Sequence, residues 1–338
     1  MRIDKRQSGQ LPDELGSILP ELFRKTQCDD WELMRPSLPR RESTVYFLRS
    51  TRFRLPALIL KHYRKNAVRK NLALDLHSRS ELIHRSATAE CSIPEPILCV
   101  PGENALAMEF VDAPITGSLL RRGFHTRQTR DSINRRAAQW LQWFHGQAEV
   151  VPERFDALAI FANISKTVEK IRARDPDALA RDEFLNACVE FAGKIAREAD
   201  GVPILHAITH GDFTPFNLFT LGRTTVGFDY QVKHRRPVTQ DICRFLLYLE
   251  VSQIIPTRPS ELREHGCRSR DLVTFMDAYG AGHELLENGL WLRLQFLEIT
   301  RRIASLSLPR TSKWNRPFRL IEAAGLRRNA RHVLETLA

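Results

Sequence analysis

The sequence predicts an α+β chain in two parts, a small strand-rich part followed by a larger, mostly helical one. Three observations carry that expectation. Short runs of β-branched, aromatic and aliphatic residues crowd the region before Val111, helical spacing dominates after it, and strand-like texture returns only over 204–229. The division falls near Asp112, giving 1–111 and 112–338 as the two parts.

In chain order, residues 11–27 have helical spacing. "STVYFLRS" (43–50) and "PALILKHY" (56–63) read as two paired strands. Residues 66–89 lack Gly and Pro and repeat Leu72, Leu76, Ile83 and Ala87 at helical spacing, so they read as one long helix ended by Pro94 and Pro96. "ILCV" (97–100) and "NALAMEFV" (104–111) read as strands turned by Pro101-Gly102. Beyond them, 126–149, 157–175, 181–199, 239–252, 268–279, 283–305 and 316–336 are helical candidates. "RRAAQWLQWFHG" is amphipathic and stops at Gly146, and its Trp140, Trp143, Phe144 and His145 read as packing residues.

Composition narrows the function classes. At 338 residues, 43% hydrophobic and 27% charged, the chain can bury a sizeable core in one or two domains. It has no uninterrupted apolar run of about 18 residues, the length that argues a membrane span. Its start has basic residues but no apolar h-region, so a cytoplasmic location is expected. The six cysteines (Cys28, Cys91, Cys99, Cys188, Cys243, Cys267) show neither CxxC nor zinc-finger spacing, so reduced, buried thiols are expected. The net charge of +11 fits either a solvated basic surface or an anionic partner. No nucleic-acid motif or aromatic–basic stripe accompanies it, so nucleic acid is not the expected partner. "GAG" at 280–282 follows no strand and is not a dinucleotide fingerprint, and no P-loop is present.

The chemistry concentrates in "ITHGDFTPFNLF" (208–219) and "TTVGFDYQ" (224–231). His210, Gly211 and Asp212 form a polar cluster inside an apolar stretch, and Asn217 follows five residues after Asp212. A carboxylate in such a stretch needs something to hold or be held by. Leu221-Gly222-Arg223-Thr224 reads as a hairpin connection, and folding its two strands together brings Asn217 towards Asp229. A carboxylate and an amide oxygen converging there make a hard, oxygen-rich site suited to Mg²⁺ rather than zinc. Asp212 is then left to orient or deprotonate a hydroxyl. Such a set suits phosphoryl transfer, with a base, metal ligands and a cation for the phosphates. The cation candidate is Lys61 in "LILKHY", which from its strand alone is either an edge-strand guard or an inward phosphate ligand.

Taken together, "LILKHY", "AMEFVDA", "HGDFTPFN", "VGFDYQ" and "VTQDICRFLLYL" resemble the aminoglycoside phosphotransferase and choline kinase family, relatives of the protein kinases, over about residues 35–250. Gly211 stands where protein kinases carry Arg, as in the small-molecule kinases. The resemblance implies a protein-kinase-like two-lobe fold, ATP and Mg²⁺ as cofactors, and phosphoryl transfer to a small-molecule hydroxyl. It also implies roles. Asp212 is the catalytic base, Asn217 and Asp229 are the metal ligands, and Lys61 contacts the α- and β-phosphates. Glu81 is the partner of Lys61, with Glu90 as a rival. The backbone of Glu109 to Val111 binds adenine, and Asp241 and His210 brace the catalytic loop. The phosphate-covering loop is expected over 35–44, "RPSLPRREST", which holds no Gly, so Ser43, Thr44, Arg40 or Arg41 would supply the phosphate contacts.

The acceptor is expected to be a sugar, glycan or amino-alcohol. "QVKHRRP" after Asp229 leans towards a neutral or anionic one, although Lys233, His234, Arg235 and Arg236 could equally lie on the surface or touch ATP. Two other readings remain at this point: a catalytically weak relative that binds nucleotide or a partner, favoured by the Gly-free loop, and a basic protein for polyanions.

Overall fold

The computed structural model describes residues 12–39, 43–51, 57–64, 71–121, 127–231, 235–251, 257–262, 266–280, 289–308 and 316–337. It groups them into two compact units. One comprises the chain up to Pro114 together with Phe219–Phe228, and the other comprises Ile115–Leu218 and Asp229–Ala338. The sequence division at 111/112 put residues 219–228 with the helices, whereas their contacts group them with the sheet.

The first unit contains α1 (Leu19–Thr26), β1 (Trp31–Pro39), β2 (Ser43–Ser50), β3 (Leu58–Tyr63), α2 (Leu72–Arg85), β4 (Cys91–Ser92), β5 (Pro96–Val100) and β6 (Ala105–Glu109). Its main sheet has the order β1-β2-β3-β6-β5, with antiparallel neighbours throughout. Strand alternation gives this sheet two different faces. Leu58 and Leu60 of β3 join Tyr46, Leu48, Ala105 and Ala107 in a core closed by Ile18 and Leu22 at α1. Tyr63 and Leu106 point to the other face, where they pack with Ala73, Leu72 and Leu76 of α2. Lys61 has the parity of Tyr63 and sits opposite Leu106, so it belongs to the α2 face.

Asn104 fastens the corner. Its carbonyl accepts from the Tyr63 N–H (3.0 Å), and its side-chain oxygen accepts from the Ala73 N–H (3.0 Å) in the first turn of α2. The left-handed backbone of Asn104 (φ 51°) suits that turn. β9 (Leu218–Leu221) and β10 (Thr224–Gly227) form the expected hairpin, and β10 runs parallel to β4.

Two sequence expectations change here. The loop expected over 35–44 is strand on both sides: β1 extends through Pro39, β2 starts at Ser43, and Arg40 and Arg41 lie outside the described residues. Pro36 and Pro39 argue against a strand, yet β1 is an edge strand, where a missing donor is tolerated. Its register shifts between Leu33 and Arg35 and between Arg35 and Leu38 absorb the irregularity. The helix expected over 66–89 is described from Leu72 and ends at Arg85. The Ser86 hydroxyl donates to the Ile83 carbonyl, and Thr88 Oγ1 accepts from the Glu90 and Cys91 N–H groups, so short polar side chains take over the backbone well before the prolines.

The second unit contains α3 (Thr116–Arg121), α4 (Arg127–His145), β7 (Val151–Arg154), α5 (Ala157–Arg174), α6 (Ala178–Arg181), α7 (Glu183–Ala199), β8 (Pro203–Ile208), β11 (Arg235–Pro237), α8 (Val238–Val251), α9 (Pro259–Leu262), α10 (Ser269–Tyr279), α11 (Leu290–Ser307) and α12 (Arg316–Leu337). β8 is flanked by β7 and β11. α8 is buried along nearly its whole length, and α11 packs against α5, α7, α8 and α12. Burial on every side explains why α8 lacks a polar face and why each polar residue it carries needs a partner. Among the described residues the cysteines are all free thiols, and no helix is long and apolar enough to cross a membrane.

Gly325 of α12 lies close against α8: a Cβ there would stand 3.1 Å from the Cα and Cβ of Val251. Gly325→Leu is expected to lower stability by about 1–3 kcal/mol through overpacking, and Gly325→Ala by less. Urea midpoints of the two variants check this, and equal midpoints for Gly325→Leu and the parent would contradict it.

Candidate active site

The polar cluster expected around Asp212 forms where β8 ends. Gly211 has φ +80°, a conformation in which a β-carbon would be strained and would also meet the Gln231 side chain at 2.9 Å. The turn exposes Asp212 while burying His210 and Phe213 on either side. A tight helical turn, Pro215–Asn217, brings the Asn217 amide nitrogen back to donate to the Asp212 carbonyl at 2.7 Å and towards its carboxylate at 3.4 Å. With the nitrogen committed, Oδ1 of Asn217 is directed away from Asp212 as an acceptor.

Asp229 is exposed, has a left-handed backbone (φ 65°) and follows the hairpin. Two residues on, the Gln231 N–H donates to the His210 carbonyl at 2.9 Å, so the chain leaving Asp229 is tied to the backbone of the His210–Asp212 loop. The Tyr230 ring between them lies 5.3 Å from Phe144 and 6.3 Å from His210. The helical unit therefore holds Asp212, Asn217 and Asp229 on one short bonded framework. Their side chains offer exposed carboxylates and an amide oxygen, a donor set that suits a hard divalent ion in kind.

Underneath lies a buried network. Asp241, in the first turn of α8, accepts from the His210 N–H (2.6 Å) and the Gly211 N–H (3.0 Å), and His145 Nε2 stands 3.3 Å from it. His145 in turn contacts the Tyr279 hydroxyl at 2.8 Å. Arg244, one turn along α8, donates to the Gly211 carbonyl and forms a fork on Glu298 of α11 with contacts of 2.9–3.2 Å. Gln240 and Arg301 complete Glu298 at 2.7 and 2.9–3.0 Å. His210 is enclosed by Trp140, Phe144, Phe213 and Tyr230. Asp241 and His210 are thus the loop braces expected from the sequence.

Charge balance explains why such a network survives burial. Burial alone pushes the Asp241 carboxyl up, but the His145 hydrogen bond and the fields of His145, His210 and Arg244 outweigh it and hold it below its usual value. Burial likewise acts against ionised Glu298, and Arg244, Arg301 and Gln240 together hold it well below the usual carboxylate range. Arg244 stays firmly protonated, because Glu298, Asp241 and Asp212 overcome the burial that opposes its charge.

In the sheet unit, Ser43 opens β2 and is buried, and Lys61 is half-buried in the middle of β3. Glu81 lies on α2, the helix over the Lys61 face, with His77 3.9 Å from its carboxylate. At the end of β6, the Glu109 N–H donates to the Glu95 carbonyl and the Phe110 N–H to the Ala57 carbonyl. Among the described residues no acceptor is assigned to the Val111 N–H. Lys233 and His234 lie outside the described residues, the exposed Arg235 donates to the Glu149 carbonyl, and Arg236 is half-buried.

Sequence reading missed Arg244, Glu298, Gln240, Arg301 and Tyr279 as parts of the brace and took His145 for plain core. A signal existed for Arg244: an arginine inside the apolar run "ICRFLLYL" must find a counter-ion. Glu298, on a different helix, gives no local sign of being that partner.

Both depressed carboxyls stabilise the fold wherever the unfolded carboxyl would be ionised, above about pH 4.5, and that contribution disappears as pH falls towards the folded values. Glu298→Gln is expected to destabilise the protein by about 3–5 kcal/mol at neutral pH, because it leaves Arg244 buried without its charge partner. The gap from the parent should shrink steadily below pH 4.5. Chemical denaturation across pH reads both limbs, and a gap independent of pH would refute the assignment.

No protein-family model and no curated protein matches the chain. Solved structures match it in shape. A choline/ethanolamine kinase family protein from Mesorhizobium loti is 14% identical, with a TM-score of 0.53 over 96% of this chain and 99% of that one. An amicoumacin kinase in complex with AMP-PNP, Ca²⁺ and Ami is 13% identical, with a TM-score of 0.54 over 96% and 94%. A thermostable mutant of the aminoglycoside phosphotransferase APH(4)-Ia is 10% identical, with a TM-score of 0.56 over 95% and 99%. The chain accordingly has the two-part, protein-kinase-like fold found in choline/ethanolamine kinases and aminoglycoside phosphotransferases, the group its motifs resemble.

Proposed function

We propose that this chain is a small-molecule kinase that moves the γ-phosphate of ATP to a hydroxyl of its acceptor. The observation that carries the reading is the exposed Asp212 on a loop whose backbone is clamped from beneath by Asp241 and Arg244. Phosphoryl transfer asks little covalent chemistry of a protein and much positioning, and a rigidly held carboxylate answers that demand. Asp212 accepts a hydrogen bond from the acceptor hydroxyl, fixes its direction and takes its proton as the acceptor oxygen bonds to the γ-phosphorus and the bond from that phosphorus to the departing ADP breaks. The Asn217 amide, bonded to the Asp212 carbonyl, keeps the turn closed and presents Oδ1 outward.

Oδ1 of Asn217 and the Asp229 carboxylate are the proposed holders of Mg²⁺. Such an ion, when bound, neutralises charge on the β- and γ-phosphate oxygens. Lys61 is assigned to the α- and β-phosphates, Glu81 to orienting Lys61, Ser43 to the phosphates, and the Glu109 carbonyl and Val111 N–H to adenine. The acceptor belongs to the sugar, glycan or amino-alcohol type. The amicoumacin kinase complex with AMP-PNP and Ca²⁺, a protein of similar fold, supports nucleotide and divalent-ion use.

A release-of-ADP assay over a panel of hydroxyl acceptors tests the proposal. Asp212→Asn is expected to lower kcat by about 10²–10⁴-fold while Mg·ATP binding persists. Wild-type turnover by Asp212→Asn would overturn it. The Gly-free stretch 35–44 favours one second reading, a nucleotide- or partner-binding protein without transfer activity. Mg·ATP binding with no transfer to any acceptor is the outcome that selects it.

A further inference from the structure

The carboxylates beneath the catalytic loop are fully used. Asp241 already accepts from two backbone N–H groups and faces His145. Glu298 accepts from Gln240, Arg244 and Arg301, so two guanidiniums share its single charge. A third guanidinium stands within their field. Arg236 lies on β11 opposite Ala207 of β8, the strand that leads into the catalytic loop, and just before α8 begins. It is half-buried, and among the described residues no carboxylate pairs with it and no acceptor is assigned to it. Burial first, and then the charge of Arg244, work against its protonated form, with Arg301 adding to them and only the committed Asp241 and Glu298 opposing. Its neighbour Arg235 is exposed and bonded to a carbonyl, as an ordinary surface arginine would be.

A protein gains nothing by half-burying a cation whose nearby anions are spoken for. The arrangement makes sense when an anion arrives from outside, and a planar guanidinium with five donors matches phosphate or carboxylate geometry. Its place in the fold is next to the chemistry: β11 pairs with β8, which runs on into His210–Asp212, and α8, whose Arg244 bonds the Gly211 carbonyl, begins two residues after Arg236. We propose that Arg236 receives a phosphate or carboxylate group carried by the acceptor whose hydroxyl meets Asp212. This rests on the kinase reading and narrows it: the acceptor is an anionic alcohol, such as a phosphorylated or carboxylated polyol, and a polycationic acceptor is disfavoured by the same arginines.

Two measurements test it. The first is equilibrium binding at constant ionic strength of inorganic phosphate, glycerol 3-phosphate, glycerol and Mg·AMP-PNP to the parent, Arg236→Gln and Arg236→Lys. Phosphate and glycerol 3-phosphate should bind the parent, glycerol should not, and Arg236→Gln should weaken anion binding by about tenfold or more. Arg236→Lys, which keeps the charge but not the fork, should recover part of the loss. The second is ADP release with matched acceptors that differ only in a phosphate or carboxylate group. Arg236→Gln should raise KM about tenfold for the anionic member of each pair and leave the neutral member unchanged.

Equal anion binding by the parent and Arg236→Gln overturns the proposal, and so does a loss confined to Mg·AMP-PNP, which would place Arg236 at the nucleotide. Turnover without any Arg236-dependent preference for anionic acceptors rejects the proposal and keeps the kinase reading. Arg236-dependent anion binding with no turnover of any acceptor rejects the kinase reading and leaves Arg236 an anion site of another kind.

Discussion

The buried carboxylate of Asp241 is the constraint on which the loop depends. It sits at the start of a helix with no solvent-facing side, where an isolated charge would be prohibitive. It is tolerated because two successive backbone N–H groups, those of His210 and Gly211, point at it along with His145. Those donors point that way because Gly211 adopts a positive φ that other residues resist. The loop and the helix therefore fix one another: the carboxylate selects the turn, and the turn satisfies the carboxylate. The consequence at the surface is a carboxylate on Asp212 whose backbone cannot drift.

Arg244 extends the same logic to the next helix turn. Its contact with the Gly211 carbonyl satisfies the acceptor of the same residue whose N–H donates to Asp241, so Gly211 is held through both of its flanking peptides. Its own charge is then neutralised by Glu298 of α11, which couples loop geometry to the packing of α8 against α11. A network of this kind is worth little as raw stability against an apolar core, and its value lies in specifying one arrangement.

The sequence marked the turn and the hairpin around Asp212 and Asp229 better than it marked what lies beneath them. The turn at Gly211 and the hairpin before Asp229 were legible because loop geometry is local, set by a glycine, a short spacing and a tight connection. β3, β6 and the long helices could be read because burial imposes a period on them. The end of α2 could not, since "ATAE" after Ser86 is good helix-forming text and only the side-chain bonds of Ser86 and Thr88 stop it. β1 was hidden by its prolines, which an edge position forgives. The Arg244–Glu298 pair was hidden for a different reason: ion pairs between helices depend on packing, and neither residue's neighbours along the chain encode the other.

Charge is where local and distant information meet. The run "QVKHRRP" says only that the segment after Asp229 is basic, and a surface arginine and a half-buried one look alike in that text. The fold separates them, with Arg235 exposed and bonded to a carbonyl and Arg236 half-buried opposite Ala207 of β8. Counting acceptors rather than charges makes the distinction: Glu298 is one negative charge but has no oxygen left for a further arginine. The arrangement of surplus charge bears on the ligand, because a planar guanidinium whose neighbouring acids are occupied offers its donors to an anion that arrives from outside.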